Sequence, residues 1–177
     1  MRTSTILSLF AGAAFAQEAV EEAVSFGKHF AVLNLDLINA IVTPISATKE
    51  GRDFIKNTAK WIDAVHEVDP APLTMFTRIY FSSDLKPELK SNSGFAELVE
   101  GITTEDDNST AIYPDFEVKQ DIGDIVLRKT RYYAGDGNAL EEILRAQKIK
   151  TVVISGVRTS GVVLSTVYRL FDLDYKM

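Results

Sequence analysis

An acid, a lysine and a glycine-flanked turn stand at the ends of three apolar segments of this chain. The segments are Ala31-Val-Leu-Asn-Leu-Asp36, Val126-Leu-Arg-Lys129-Thr-Arg131 and Val153-Ile-Ser-Gly156-Val-Arg-Thr-Ser-Gly161-Val162. Asp36 breaks an otherwise apolar run at its carboxyl end. A carboxylate so placed loses solvation, which raises its pKa and suits it to general acid or base work. The plainer alternative is an aspartate that opens a loop and bonds nearby amides. Lys129 lies between Arg128 and Arg131. Its ammonium would keep a neighbouring acid ionised or hold a substrate anion; the alternative is a solvated basic edge. The stretch Gly156 to Gly161 joins a strand to a helix. Backbone N–H groups and the helix dipole there favour an anion or a developing oxyanion, which makes Arg158, Thr159, Gly161 and Val162 candidate binding residues. The alternative is an ordinary strand-to-helix turn, since neither a dinucleotide fingerprint nor a phosphate-binding loop is present.

Other chemistries find less support. The chain has no cysteine, so no disulfide, thiolate metal site or cysteine nucleophile is available. Its two histidines, His29 and His66, have no carboxylate or second histidine at ligand spacing, and no metal or other cofactor is expected. Ser160 and Ser165 lack a nucleophile elbow and a partner histidine, and read as structural.

The elements that must carry these residues follow from periodicity. Phe30 to Leu37 is a continuous apolar run, the pattern of a strand buried on both faces. Residues 38–49, with Thr-Pro and Ser-Ala-Thr, read as loop. Arg52 to Glu67 is an amphipathic helix with Phe54, Ile55, Thr58, Trp61, Ile62 and Val65 on one stripe, ended by Asp69-Pro-Ala-Pro72. Strands are expected at Leu73–Phe81, Asp124–Thr130 and Thr151–Val157. Helices are expected at Asn138–Gln147 and Ser160–Asp172, the latter burying Val163, Val167, Leu170 and Phe171. Residues 82–123 are irregular and acidic, with a helical turn or two near Phe95 to Gly101; a connection this long usually covers a site. Strands alternating with helices imply a three-layer α/β/α, Rossmann-like domain with a mainly parallel sheet and helices on both faces.

At 177 residues with 46% hydrophobic content, the chain suits one globular domain. The net charge of −6 and the lack of a basic stripe argue against nucleic acid as a partner. Arg2, the apolar run Ile6 to Phe15 and Ala14-Phe-Ala16 have the order of a secretory signal. Residues 1–16 are therefore expected to be removed, leaving 17–177 as an extracellular domain; the apolar run is too short to span a bilayer. Asn108-Ser-Thr110 is an N-glycosylation sequon in a polar stretch.

The three opening segments, in order, resemble the isochorismatase-like or cysteine hydrolase superfamily, which includes nicotinamidases and carbamoylsarcosine amidases. Ala31 to Asp36 resembles its strand ending in a catalytic aspartate. Lys129-Thr-Arg131 through Leu140 resembles its lysine strand. Gly156-Val-Arg-Thr-Ser-Gly-Val162-Val-Leu-Ser-Thr-Val167 resembles its G-V-x-T-x-x-C-V-x-x-T-A signature. The family's cysteine position falls on Val162, so the resemblance implies no covalent thiol step. Its histidine-rich metal segment is replaced by Thr77-Arg-Ile-Tyr-Phe-Ser-Ser83. Isochorismatases proper also lack the cysteine and cleave a vinyl ether. The resemblance therefore implies hydrolysis of a small carboxylate such as isochorismate, with Asp36 as proton donor and Lys129 and nearby arginines holding carboxylates. A secreted binding protein without activity is the alternative. The resemblance also implies a last strand and helix beyond Met177 that this sequence lacks, and homo-oligomeric contacts as its relatives often have.

Overall fold

A computed structural model describes residues 25–177; the leader reading at 1–16 lies outside them. Four parallel strands form the sheet: β1 (Phe30–Leu35), β2 (Leu73–Ile79), β3 (Ile125–Lys129) and β4 (Thr151–Gly156), in the order β3-β2-β1-β4. The two central strands, β1 and β2, are the most apolar, because side chains on both of their faces are covered.

Two helices join β1 to β2: α1 (Asn39–Ser46) and α2 (Lys49–His66). Helix α2 follows its sequence pattern. The Thr48 hydroxyl caps it by accepting from Gly51 N–H, and Ile55, Thr58, Ile62 and Val65 are buried along the expected stripe. Ile55 and Ile62, together with Val42 and Leu37, cover Phe76 on one sheet face. The other face carries Ala31, Leu33, Leu35 and Met75. Leu140 and Leu144 of α4 (Leu140–Ala146) and Leu170 of α5 (Leu164–Phe171) pack over it.

Helix α1 corrects the expectation of a loop over 38–49. Pro44 lies inside it. Proline forfeits one helical hydrogen bond, but this one sits in the last turn, and the first turn is fixed by Ile41 and Val42 N–H donating to Ile38 O. Buried Val42 then ties the helix to α2. A second correction concerns α5. Phe171 is 68% exposed, and the buried positions are Thr166 and Leu170. A π-helical turn at Thr159–Val163 precedes α5 and rotates its stripe relative to a continuous α-helix begun at Ser160.

The long connection 82–123 is irregular, as expected, apart from α3 (Gly94–Leu98) and 3-10 turns at Asn108–Thr110 and Gln120–Ile122. Its Val99 and Ile102 form a separate small core with Ile38, Ile79 and Phe81, over the carboxyl end of the sheet. After α5 the chain turns back, and Lys176 pairs in parallel with Thr151 on the free side of β4. Among the described residues no helix is long and apolar enough to cross a membrane.

Candidate active site

Parallel pairing gathers the strand ends. Leu35 stands opposite Thr77 on β2 and Gly156 on β4, and Ile79 stands opposite Lys129 on β3. Residues separated by more than a hundred positions thus meet within one side chain's reach at the sheet edge where open α/β folds place ligands.

Asp36 follows β1 immediately, with a left-handed backbone (φ 56°). Aspartate tolerates that region better than most residues, since its short carboxylate bonds locally. Its N–H donates to the Thr77 hydroxyl (3.0 Å), and that hydroxyl donates to Asp36 Oδ1 (2.8 Å). The Lys129 ammonium lies 2.7 Å from Oδ2. A second Lys129 hydrogen goes to Arg131 O at 2.7 Å. Both ions are buried, Asp36 at 4% exposure and Lys129 at 1%, so the solvated-edge alternative for Lys129 does not describe its position. Burial pushes the Asp36 carboxyl above its ordinary value, against the opposing charge and hydrogen bond of Lys129 and the Thr77 hydrogen bond.

The pair forms the floor of a cavity of about 370 Å³. Ala40 and Ile41 of α1, Ile79, and Phe95, Leu98, Val99 and Ile102 of the long connection form an apolar wall; Tyr132, Val157, Arg158, Ser160, Gly161 and Val162 form the opposite one. Of the residues read from the glycine-flanked turn, Arg158, Gly161 and Val162 therefore face the same space as Asp36 and Lys129, while exposed Thr159 is not among the lining residues. Val162 is 1% exposed and offers only methyl groups. Two N–H groups of the turn are spent internally: Gly161 and Val163 both donate to Arg158 O, at 3.1 and 3.4 Å. These two donors are not free for an oxyanion.

Gly161 is required by close approach. A Cβ there would lie 2.7 Å from the Tyr132 ring. That ring meets Phe95 of α3 edge-on, with centroids 5.2 Å apart at 82°, and the Arg131 guanidinium lies over the other side of the contact, 5.4 Å from the Phe95 centroid. The sequence reading missed Thr77, Phe95 and Tyr132. Thr77 had a signal, a hydroxyl near the end of an apolar strand. The aromatic pair had none, because Phe95 sits on a short helix inside the long connection and Tyr132 in the loop after β3, with no periodicity to relate them.

His66 departs from expectation in a different place. Its Nε2 lies 2.9 Å from Asp124 Oδ2, both side chains being buried, so it does have a carboxylate partner, supplied by the start of β3. Neither residue lines the cavity. Among the described residues no group of three histidine, cysteine, aspartate or glutamate side chains stands together as metal ligands, and the residues present do not fit a histidine-held ion.

Residues 30–177 match the family model described as "Isochorismatase domain". The chain belongs to the isochorismatase family. Among related proteins, a probable inactive nicotinamidase of Arabidopsis thaliana is 23% identical over 164 residues, covering 84% of this chain and 76% of that protein. Ureidoacrylate amidohydrolase RutB of Variovorax paradoxus is 41% identical over 59 residues, but that match takes in only 33% of this chain and 23% of the relative's length. Solved structures agree on the fold. A cysteine hydrolase from Pseudomonas syringae superposes with a TM-score of 0.70 at 17% identity, covering 84% of this chain and 68% of that one. N-carbamoylsarcosine amidase from Thermoplasma acidophilum gives 0.65 at 21% identity, covering 84% and 79%. In this isochorismatase-family chain the three-layer arrangement and the parallel sheet are as the sequence pattern implied.

Proposed function

We propose that the protein is a hydrolase acting on a small carboxylate such as isochorismate, without a covalent thiol step. The observation that carries this reading is the buried Asp36–Lys129 pair on the floor of a largely apolar cavity whose wall has Val162 where a nucleophile would otherwise stand. Such a site can move a proton but cannot form a thioester. Protonated Asp36 would donate to the terminal carbon of a vinyl ether, the π electrons forming the new C–H bond and leaving an oxocarbenium ion. Water adds to the ether-bearing carbon of that ion and returns a proton to the carboxylate. The resulting hemiketal expels the ring alcohol and yields pyruvate. Arg158, exposed at the cavity wall, and Lys129 are the groups available for substrate carboxylates.

The test is incubation of purified protein with isochorismate, following pyruvate. Turnover that disappears in Asp36→Ala supports the reading; no turnover by the wild type, or turnover unchanged by that substitution, overturns it. A second reading, a binding protein without activity, is favoured by Val162 and by the related protein named as a probable inactive nicotinamidase. Tight binding of a small carboxylate with no product would select it. We also infer export of the domain, from the leader pattern. N-terminal sequencing of material secreted by a eukaryotic host should begin at Gln17, and a retained Met1 would refute it.

A further inference from the structure

Lys129 and Thr77 engage different oxygens of the Asp36 carboxylate, and the difference has chemical content. Thr77 is buried, and its hydroxyl has one hydrogen and two lone pairs. One lone pair already accepts from the Asp36 backbone N–H (3.0 Å), which leaves the hydroxyl hydrogen directed at Oδ1 (2.8 Å). A proton placed on Oδ1 would leave Thr77 only the weaker acceptor of a carboxylic O–H oxygen. The hydrogen bond that satisfies the buried Thr77 hydrogen is therefore strongest when Oδ1 stays unprotonated. Oδ2 carries no such restriction. It faces the Lys129 ammonium, which is anchored on its other side by Arg131 O.

We propose that Thr77 is a positioning residue: its hydroxyl closes Oδ1 and confines proton exchange at Asp36 to Oδ2, the oxygen paired with Lys129. The same bifunctional hydroxyl holds the left-handed backbone of Asp36 against the end of β2, so orientation and proton placement come from one group. A proton arriving at Oδ2 weakens the Lys129 contact and leaves the ammonium uncompensated beside the cavity that Lys129 lines. Protonation of the acid thereby raises the attraction of the site for an anionic ligand. The charged groups facing this carboxylate are Lys129 from β3 and, across the cavity, Arg158 from the turn after β4. Use of this proton in catalysis rests on the hydrolase reading; its placement does not.

The experiment is a 13C NMR titration of full-length protein labelled at aspartate Cγ, with the Asp36 resonance assigned by its loss in Asp36→Asn. Thr77→Val removes the hydroxyl at nearly constant volume and should raise the Asp36 titration midpoint by about one pH unit, because a hydrogen bond to the ionised form is lost. Thr77→Ser should restore the wild-type midpoint. Should the valine variant not fold, the wild type supplies its own readout: a Thr77 hydroxyl proton protected from exchange, whose shift follows the Asp36 titration. An unmoved midpoint in Thr77→Val, or a Thr77 hydroxyl proton in fast exchange, overturns the inference whatever the activity. A moved midpoint in a protein that turns over no vinyl ether supports the inference and overturns the hydrolase reading alone.

Discussion

Asp36 and Lys129 neutralise one another in a place where neither would be stable alone. Removing one partner of a buried pair strands the other charge, at a cost of about 3–5 kcal/mol. Asp36→Asn is expected to approach that figure, since the lysine ammonium keeps its charge, and to lower kcat by about 10²- to 10⁴-fold as the acid is lost. Lys129→Met should cost less, because a buried carboxyl escapes the penalty by taking up a proton. Urea unfolding of the two variants side by side checks the order. The pH dependence has an unusual sign. The folded Asp36 carboxyl titrates above the ordinary 3.8. Between those two values the native state binds a proton that the unfolded chain does not, so the Asp36 contribution to stability declines as pH rises through that window. The identity of both residues was legible in the sequence, as polar interruptions at the ends of apolar runs. Thr77 was not, because only the parallel register of β1 on β2 shows which hydroxyl stands beside the acid.

Among the elements, the segment 82–93 is tied to β3 and the residues after it through Ser82 and Glu88: Arg128 reaches the Ser82 hydroxyl (3.2 Å) and Arg131 the Glu88 carbonyl (2.6 Å). Glu88 accepts from Ser82 N–H (2.8 Å), from the Ser82 hydroxyl and from the Arg128 guanidinium of β3. Partial burial raises its pKa, but the Ser82 and Arg128 hydrogen bonds outweigh it and hold the carboxyl at about 2. Because the folded value lies below the ordinary 4.5, the stability it contributes is complete above that pH and is lost as pH falls toward about 2. Glu88→Gln should therefore melt below the wild type at neutral pH, and the gap should close as the pH falls through this range. The strand-to-turn junction at Gly156 is a stricter constraint. Its φ is 150°, and a Cβ there would lie 2.4 Å from Leu35 O, beside Asp36. Gly156→Ala is expected to cost at least about 2 kcal/mol, by thermal denaturation, since that backbone region is essentially confined to glycine. The four strands could be read as apolar runs between turn signals, and α2 from its 3.6-residue buried stripe. Helix α1 could not: Pro44 and a run of hydroxyl residues signal a break, and only the packing of Val42 against α2 overrides them.

For the molecule as a whole, the buried Asp36–Lys129 pair works against the fold. Buried ion pairs often stabilise less than apolar groups of similar volume, by about 1–4 kcal/mol. The double variant Asp36→Asn/Lys129→Met is thus expected to lose less stability than the sum of the two single changes, since no buried charge is left unpaired. Equilibrium unfolding of the four proteins forms a closed cycle in which the pair's coupling appears directly. The three-layer arrangement was legible from the order of strands and helices. The wall over the site was not, because it needs residues 94–102 of the long connection to meet Tyr132. Phe95, set against Tyr132 and Arg131, is part of that wall. The shape of the cavity is thereby tied to one aromatic ring: Phe95→Ala leaves open space where an apolar surface stood, and calorimetry should show weaker binding of a small cavity ligand.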